Sequence, residues 1–122
     1  MIGLPAVRSY YLYTKDTDMR KSFNGLGGLV INEMEMNLTG GEGFLFINKR
    51  RNMVKILVWD RTGFVIYCKK LVRGTFEIPE KIEGEKKLSL PLSTLIMMLE
   101  GVSLKSIKMR KRYSLPEVRN RA

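Results

Sequence analysis

The side chains best suited to chemistry in this chain are cations, and their grouping favours gripping a polyanion. Lys49, Arg50 and Arg51 stand together between two apolar runs. Lys55, Arg61, Lys69, Lys70 and Arg73 follow, and across residues 49–73 the only acid is Asp60. A turn crowded with such groups can reach phosphates without losing core packing. Arg adds paired donors that suit a phosphate or a guanine edge. The competing reading is a solvated turn whose lysines keep a sheet edge from aggregating. Arg20 and Lys21 form a second group, just after Asp18, at the start of an expected helix. The unpaired amides of a helix N-terminus attract anions, and two flanking cations reinforce that. The cations also oppose the helix dipole, and Asp18 reads most simply as the capping residue. A third group, Arg110-Lys111-Arg112-Tyr113, joins charge to an aromatic ring that can lie along a groove or stack on a base.

The overall balance agrees. Lys and Arg number 22 against 12 Asp and Glu, giving +10 at pH 7 in 122 residues. Each cation laid on a phosphate releases a condensed counterion, so this excess favours nucleic acid as a partner. Histidine is absent and Cys68 is the only cysteine. Ser-His-Asp and Cys-His mechanisms are therefore excluded, as are closed zinc sites and intrachain disulfides. The aspartates are Asp16, Asp18 and Asp60, and no spacing of carboxylates recommends a two-metal nuclease centre. Gly25, Gly27 and Gly28 are not followed by the Lys-Ser/Thr of a phosphate loop. The chain reads as a non-enzyme that needs no cofactor and no metal.

These residues need a scaffold. Tyr10–Tyr13 reads as a first strand. Thr17-Asp18 supplies capping groups, and Met19, Phe23, Leu26, Val30 and Met34 mark one helical stripe that should end before Gly40-Gly41. Gly43–Asn48, Met53–Trp59 and Phe64–Lys70 are strand-like runs joined by connections of four residues, which favour antiparallel hairpins. Met53–Trp59 is apolar on both pleat faces apart from Lys55, as a strand covered on both sides should be. Thr75–Ile78 is expected as a short fifth strand, ended by Pro79, and 80–87 as a charged loop. Leu92–Glu100 reads as a helix whose apolar face is Leu92, Leu95, Ile96 and Leu99, with Gly101 as its C-cap. Cys68 and Trp59 read as core residues, and Asp60 as a turn residue.

The expected fold is α+β: a mainly antiparallel sheet of four to five strands with two helices packed on it, in one domain over residues 1–104. Residues 105–122 hold seven basic side chains and one acid, Glu117, and are expected to form a mobile basic tail. No run is long enough to span a bilayer and no signal-peptide pattern opens the chain, so no membrane contact and a cytoplasmic location are expected.

Several of these segments, in this order, resemble one family. They are Met1–Pro5, Thr17–Leu26, Gly43–Phe46, Arg50–Leu57, Trp59–Phe64, Tyr67–Leu71, Arg73–Phe76 and Leu95–Gly101. Together they are similar to the TnpB accessory proteins encoded by the second open reading frame of insertion sequence 66 elements. That family is distinct from the RNA-guided nuclease sharing the name. The resemblance spans roughly residues 1–104 and leaves out the tail, which lacks the Trp-rich ending of relatives. It implies a non-catalytic protein encoded beside a larger transposase and needed for efficient transposition. DNA and the transposase are the partners it suggests. The residues expected to touch DNA are Arg20, Lys21, Lys49, Arg50, Arg51, Lys55, Arg61, Lys69, Lys70 and Arg73. The alternative is an adaptor that docks on the transposase without touching DNA, using the glycine-interrupted first helix or the apolar face around Leu95–Leu99.

Overall fold

Five strands pair in the order β4-β3-β2-β1-β5 in the computed structural model, which describes residues 7–100. The three apolar runs at the centre of the sequence become β2 (Glu42–Ile47), β3 (Met53–Trp59) and β4 (Phe64–Lys70). They form an antiparallel meander, as their short connections require. β1 (Ser9–Tyr13) lies beside β2 and parallel to it, with Ser9 opposite Glu42 and Leu12 opposite Leu45. A parallel pair needs a crossover, and α1 (Phe23–Asn32) is that crossover. The sheet is thus mainly antiparallel with one parallel pair.

The fifth strand is not where the sequence placed it. β5 is Lys87–Leu90, antiparallel to β1, with Tyr13 opposite Lys87 and Tyr10 opposite Leu90. Thr75–Ile78 forms no strand. It has the alternation of one, but its backbone finds no strand edge, and Phe76 N–H instead donates to the Arg51 carbonyl at 2.6 Å. Phe76 is fully buried as a plug in the core, and Ile78 packs against the same cluster.

Both faces of the sheet are covered. Tyr10, Leu12, Leu45, Ile47, Val54, Ile56 and Val58 point to one side, where α2 (Leu92–Leu99) and Phe76 close over them. Tyr13, Phe44, Phe46 and Leu57 point to the other, beneath Leu26, Val30 and Met34. β3 has buried residues on both faces, which explains its nearly continuous apolar run.

Both helices differ from expectation in detail. α1 begins at Phe23, with Ser22 rather than Asp18 at its N-cap, so Met19 precedes the helix. It ends at Asn32, and the chain leaves through Glu35 at φ 54. Gly27 is buried in it, and a Cβ there would stand 3.3 Å from Leu38, so the glycine permits that close approach. α2 buries Leu95, Met98 and Leu99, whereas Leu92 and Ile96 are exposed at 59% and 48%. Gly101 and the tail from 105 lie outside the described residues. Cys68, expected in the core, is exposed because it occupies β4, the strand at the sheet's margin. Trp59 is half-buried, packed 4.8 Å from the Phe64 ring. No helix among the described residues is long and apolar enough to cross a membrane.

Candidate nucleic-acid interface

The pairing pattern decides which cations meet. Because β1 runs parallel to β2, and β3 antiparallel to both, the C-terminal ends of β1, β2 and β4 share one end of the sheet with the N-terminal ends of β3 and β5. The β2–β3 turn projects from that end carrying Lys49, Arg50 and Arg51, all exposed.

This turn is held firmly. Asn48 Oδ1 accepts from the backbone N–H groups of Asn52 and Met53, each at 3.0 Å. Asn48 Nδ2 donates to Asn52 Oδ1 at 2.7 Å. Arg51 takes a left-handed conformation at φ 59, and its N–H donates to the Asn48 carbonyl at 3.0 Å. Asn48 can supply these bonds because a short amide side chain reaches the backbone a few residues on. The segment after β4 is tied to the same turn: Leu71 N–H donates to the Asn52 carbonyl at 2.8 Å, and Phe76 N–H to Arg51. Exposed Arg73 is thereby held beside the Lys49–Arg51 tip, next to Val72, which is 97% exposed.

The ten sequence candidates sort into four kinds. Lys21, Lys49, Arg50, Arg51, Lys70 and Arg73 lie at this end, exposed, and make no ion pair with a described residue. Arg20 is at the same end but matched: its guanidinium takes both Asp18 oxygens, with Nη2 2.7 Å from Oδ2. The hydrogen bonds that Arg20 donates from its side chain and its backbone hold the Asp18 carboxyl well below the usual carboxylate range. Asp18 therefore organises the turn before α1 instead of capping the helix. Lys55 and Lys69 serve the fold. Lys55 Nζ donates to the Lys21 carbonyl at 2.8 Å, fixing the entrance to α1 on β3. Lys69 Nζ donates to the Leu99 carbonyl at the end of α2, where a cation also suits the helix dipole. Lys69 and Lys70 consequently point to opposite faces of the sheet.

Arg61 is the exception in place. It sits in the β3–β4 turn, at the other end of the seven-residue β3, about 20 Å from the Lys49–Arg51 turn at ~3.4 Å per residue. Sequence proximity suggested one cluster. The hairpin separates Arg61 from it, because successive turns of a meander fall at alternate ends.

Sequence reasoning also passed over two lysines. Lys15, exposed just after β1, reaches the basic end through the parallel pairing, which no local pattern reveals. Lys81 is brought there by a hydrogen bond from its Nζ to the Thr14 carbonyl at 2.6 Å. Among the described residues no three of Asp, Glu or Cys gather as metal ligands. An open hollow of about 350 Å³ is lined by Glu33, Glu35, Glu85, Lys86 and Lys87, with Lys86 and Glu33 paired at 3.3 Å. It presents mixed charge and no nucleophile. What the basic end can do is hold phosphates.

Comparison with known proteins identifies a family. A family model described as "IS66 Orf2 like protein" matches residues 8–109. Two similar proteins come from Sinorhizobium fredii (strain NBRC 101917 / NGR234). One, named as uncharacterized protein y4jC, is 29% identical over 89 residues, covering 73% of this chain and 76% of its own length. The other, uncharacterized protein y4hO, is 27% identical over 92 residues, covering 75% and 78%. No solved structure matches.

Proposed function

Since this chain belongs to the IS66 Orf2 like family, we propose that it is a non-catalytic accessory factor in transposition of a bacterial insertion sequence, and that its basic end binds the element's DNA. The carrying observation is the braced β2–β3 turn, with Lys49, Arg50 and Arg51 making no ion pair with a described residue and Arg73 tied alongside. A rigid tip loses little conformational entropy on docking, and cations exposed on it can neutralise phosphates. The transposase encoded with the element is the expected protein partner, and its complex with DNA is what such a factor would stabilise.

A second reading is an adaptor that touches the transposase and not DNA. The observation favouring it is the pair Leu92 and Ile96, exposed on α2 one helical turn apart. A salt titration of binding to element-end DNA separates the two. Phosphate contacts make affinity fall steeply as salt rises, whereas an adaptor shows no binding even at low salt. A pull-down with the transposase, with and without DNA, then identifies which contact recruits the other.

A further inference from the structure

We propose that the outer edge of β4 is a self-association surface, on which β4 of a second copy of this chain pairs antiparallel. Among the described residues β4 pairs with β3 alone, and its seven residues run without glycine, proline or bulge. The opposite edge is blunter: β5 has four residues and is followed by Pro91, which has no N–H to offer.

The phase of the β3–β4 ladder settles which groups face outward. Asp60 N–H donates to the Gly63 carbonyl, and Leu71 N–H to the Asn52 carbonyl. With Trp59 opposite Phe64 and Met53 opposite Lys70, hydrogen-bonded pairs alternate, so Val65, Tyr67 and Lys69 bond to β3. Phe64, Ile66, Cys68 and Lys70 therefore aim their N–H and C=O groups away from the sheet.

That set is self-complementary. In a full-length antiparallel pairing about Tyr67, Phe64 meets Lys70 of the second copy and Ile66 meets Cys68 of the second copy. Each is an outward-facing pair that exchanges two bonds, about eight in all. No lysine lies opposite a lysine, because Lys69 and Lys70 end up at the two far ends of the joint. The exposed Lys70 stem gains the Phe64 ring to lie on, and half-buried Ile66 gains cover from exposed Cys68. The two sheets become one continuous sheet with a basic end at each extremity. Since both copies carry +10, screening strengthens this association as salt rises, opposite in sign to the salt dependence of phosphate binding. Failure of one reading therefore leaves the other standing.

The test uses the full chain. Sedimentation over a concentration series should show a monomer–dimer equilibrium that tightens with added sodium chloride. Cys68 is the only cysteine, and the two copies of it fall on a diagonal about 7–8 Å apart. A short bis-maleimide should link them, while direct oxidation should not, since that separation exceeds disulfide reach. Ile66→Cys places cysteines directly opposite at about 5.5 Å, and mild oxidation should then give a covalent dimer. Cys68→Pro removes an outward N–H and none donated to β3, so association should be lost with the fold retained. If that variant does not fold, the Ile66→Cys cross-link decides alone. A chain that stays monomeric at every concentration overturns the proposal. So does undiminished association of folded Cys68→Pro. Hydrogen-exchange protection of the Phe64, Ile66, Cys68 and Lys70 amides in a monomer also overturns it, because another part of the chain would then hold the edge.

Discussion

Replacing Lys49, Arg50 and Arg73 together by glutamine tests where phosphates sit. All three are exposed, and among the described residues none makes an ion pair or donates a side-chain hydrogen bond, so stability should be little changed. Each phosphate neutralised contributes about −0.9 to the slope of log affinity against log salt. Three lost contacts should flatten that slope by about 2.7, whatever the remaining basic residues contribute, because their share cancels in the difference. Between 50 and 200 mM salt, six free cations correspond to roughly a 1,000- to 2,000-fold loss of affinity, and three to roughly 40-fold. Fluorescence anisotropy with a labelled element-end duplex at four or five salt concentrations measures both slopes. Arg61→Gln is the control, since Arg61 lies at the far end of β3. Should Arg61→Gln flatten the slope as much as Arg50→Gln does, or the triple variant leave it unmoved, phosphates are not being held at the Lys49–Arg51 end.

Asp18→Asn should release Arg20, steepening the salt slope by about one and tightening binding at low salt, read in the same anisotropy assay. The sign with pH follows from the lowered Asp18 value: the pair is intact above the ordinary carboxylate range and is lost only as pH falls through the depressed value. The effect of the substitution should therefore be constant from pH 5 to 8. Asn48→Ala removes the acceptor of two backbone N–H groups and should cost about 1–3 kcal/mol in urea unfolding, as well as weakening DNA binding by loosening the tip. Gly43→Ala places a methyl 2.6 Å from the buried Tyr10 ring, across the β1–β2 pair. A loss of about 1–3 kcal/mol, seen as a lower Tm, is expected from such overpacking. A neutral result would show that Tyr10 can move.

Local signals carried much of this fold. The apolar, strand-like runs Gly43–Asn48, Met53–Trp59 and Phe64–Lys70, and the four-residue gaps between them, specify a meander within some thirty residues of chain. The Phe23, Leu26, Val30 stripe specifies a helix, and the lack of histidine with the excess of Lys and Arg limits the chemistry before any folding. Those features depend on neighbours in sequence, or on none. The pairing of β1 with both β2 and β5 joins residues up to 80 positions apart, as between Tyr10 and Leu90. No periodicity distinguishes Lys87–Leu90, which found an edge, from Thr75–Ile78, which did not. The fate of each cation was likewise tertiary. Lys69 and Lys70 are adjacent in sequence, yet one closes α2 and the other faces solvent, because successive strand residues point to opposite faces. Arg61 shares a sequence cluster with Arg50 but not an end of the sheet, and Lys15 shares the end without the cluster. Charge is a property of composition. Its concentration into a surface depends on which strand ends the long-range hydrogen bonds bring together.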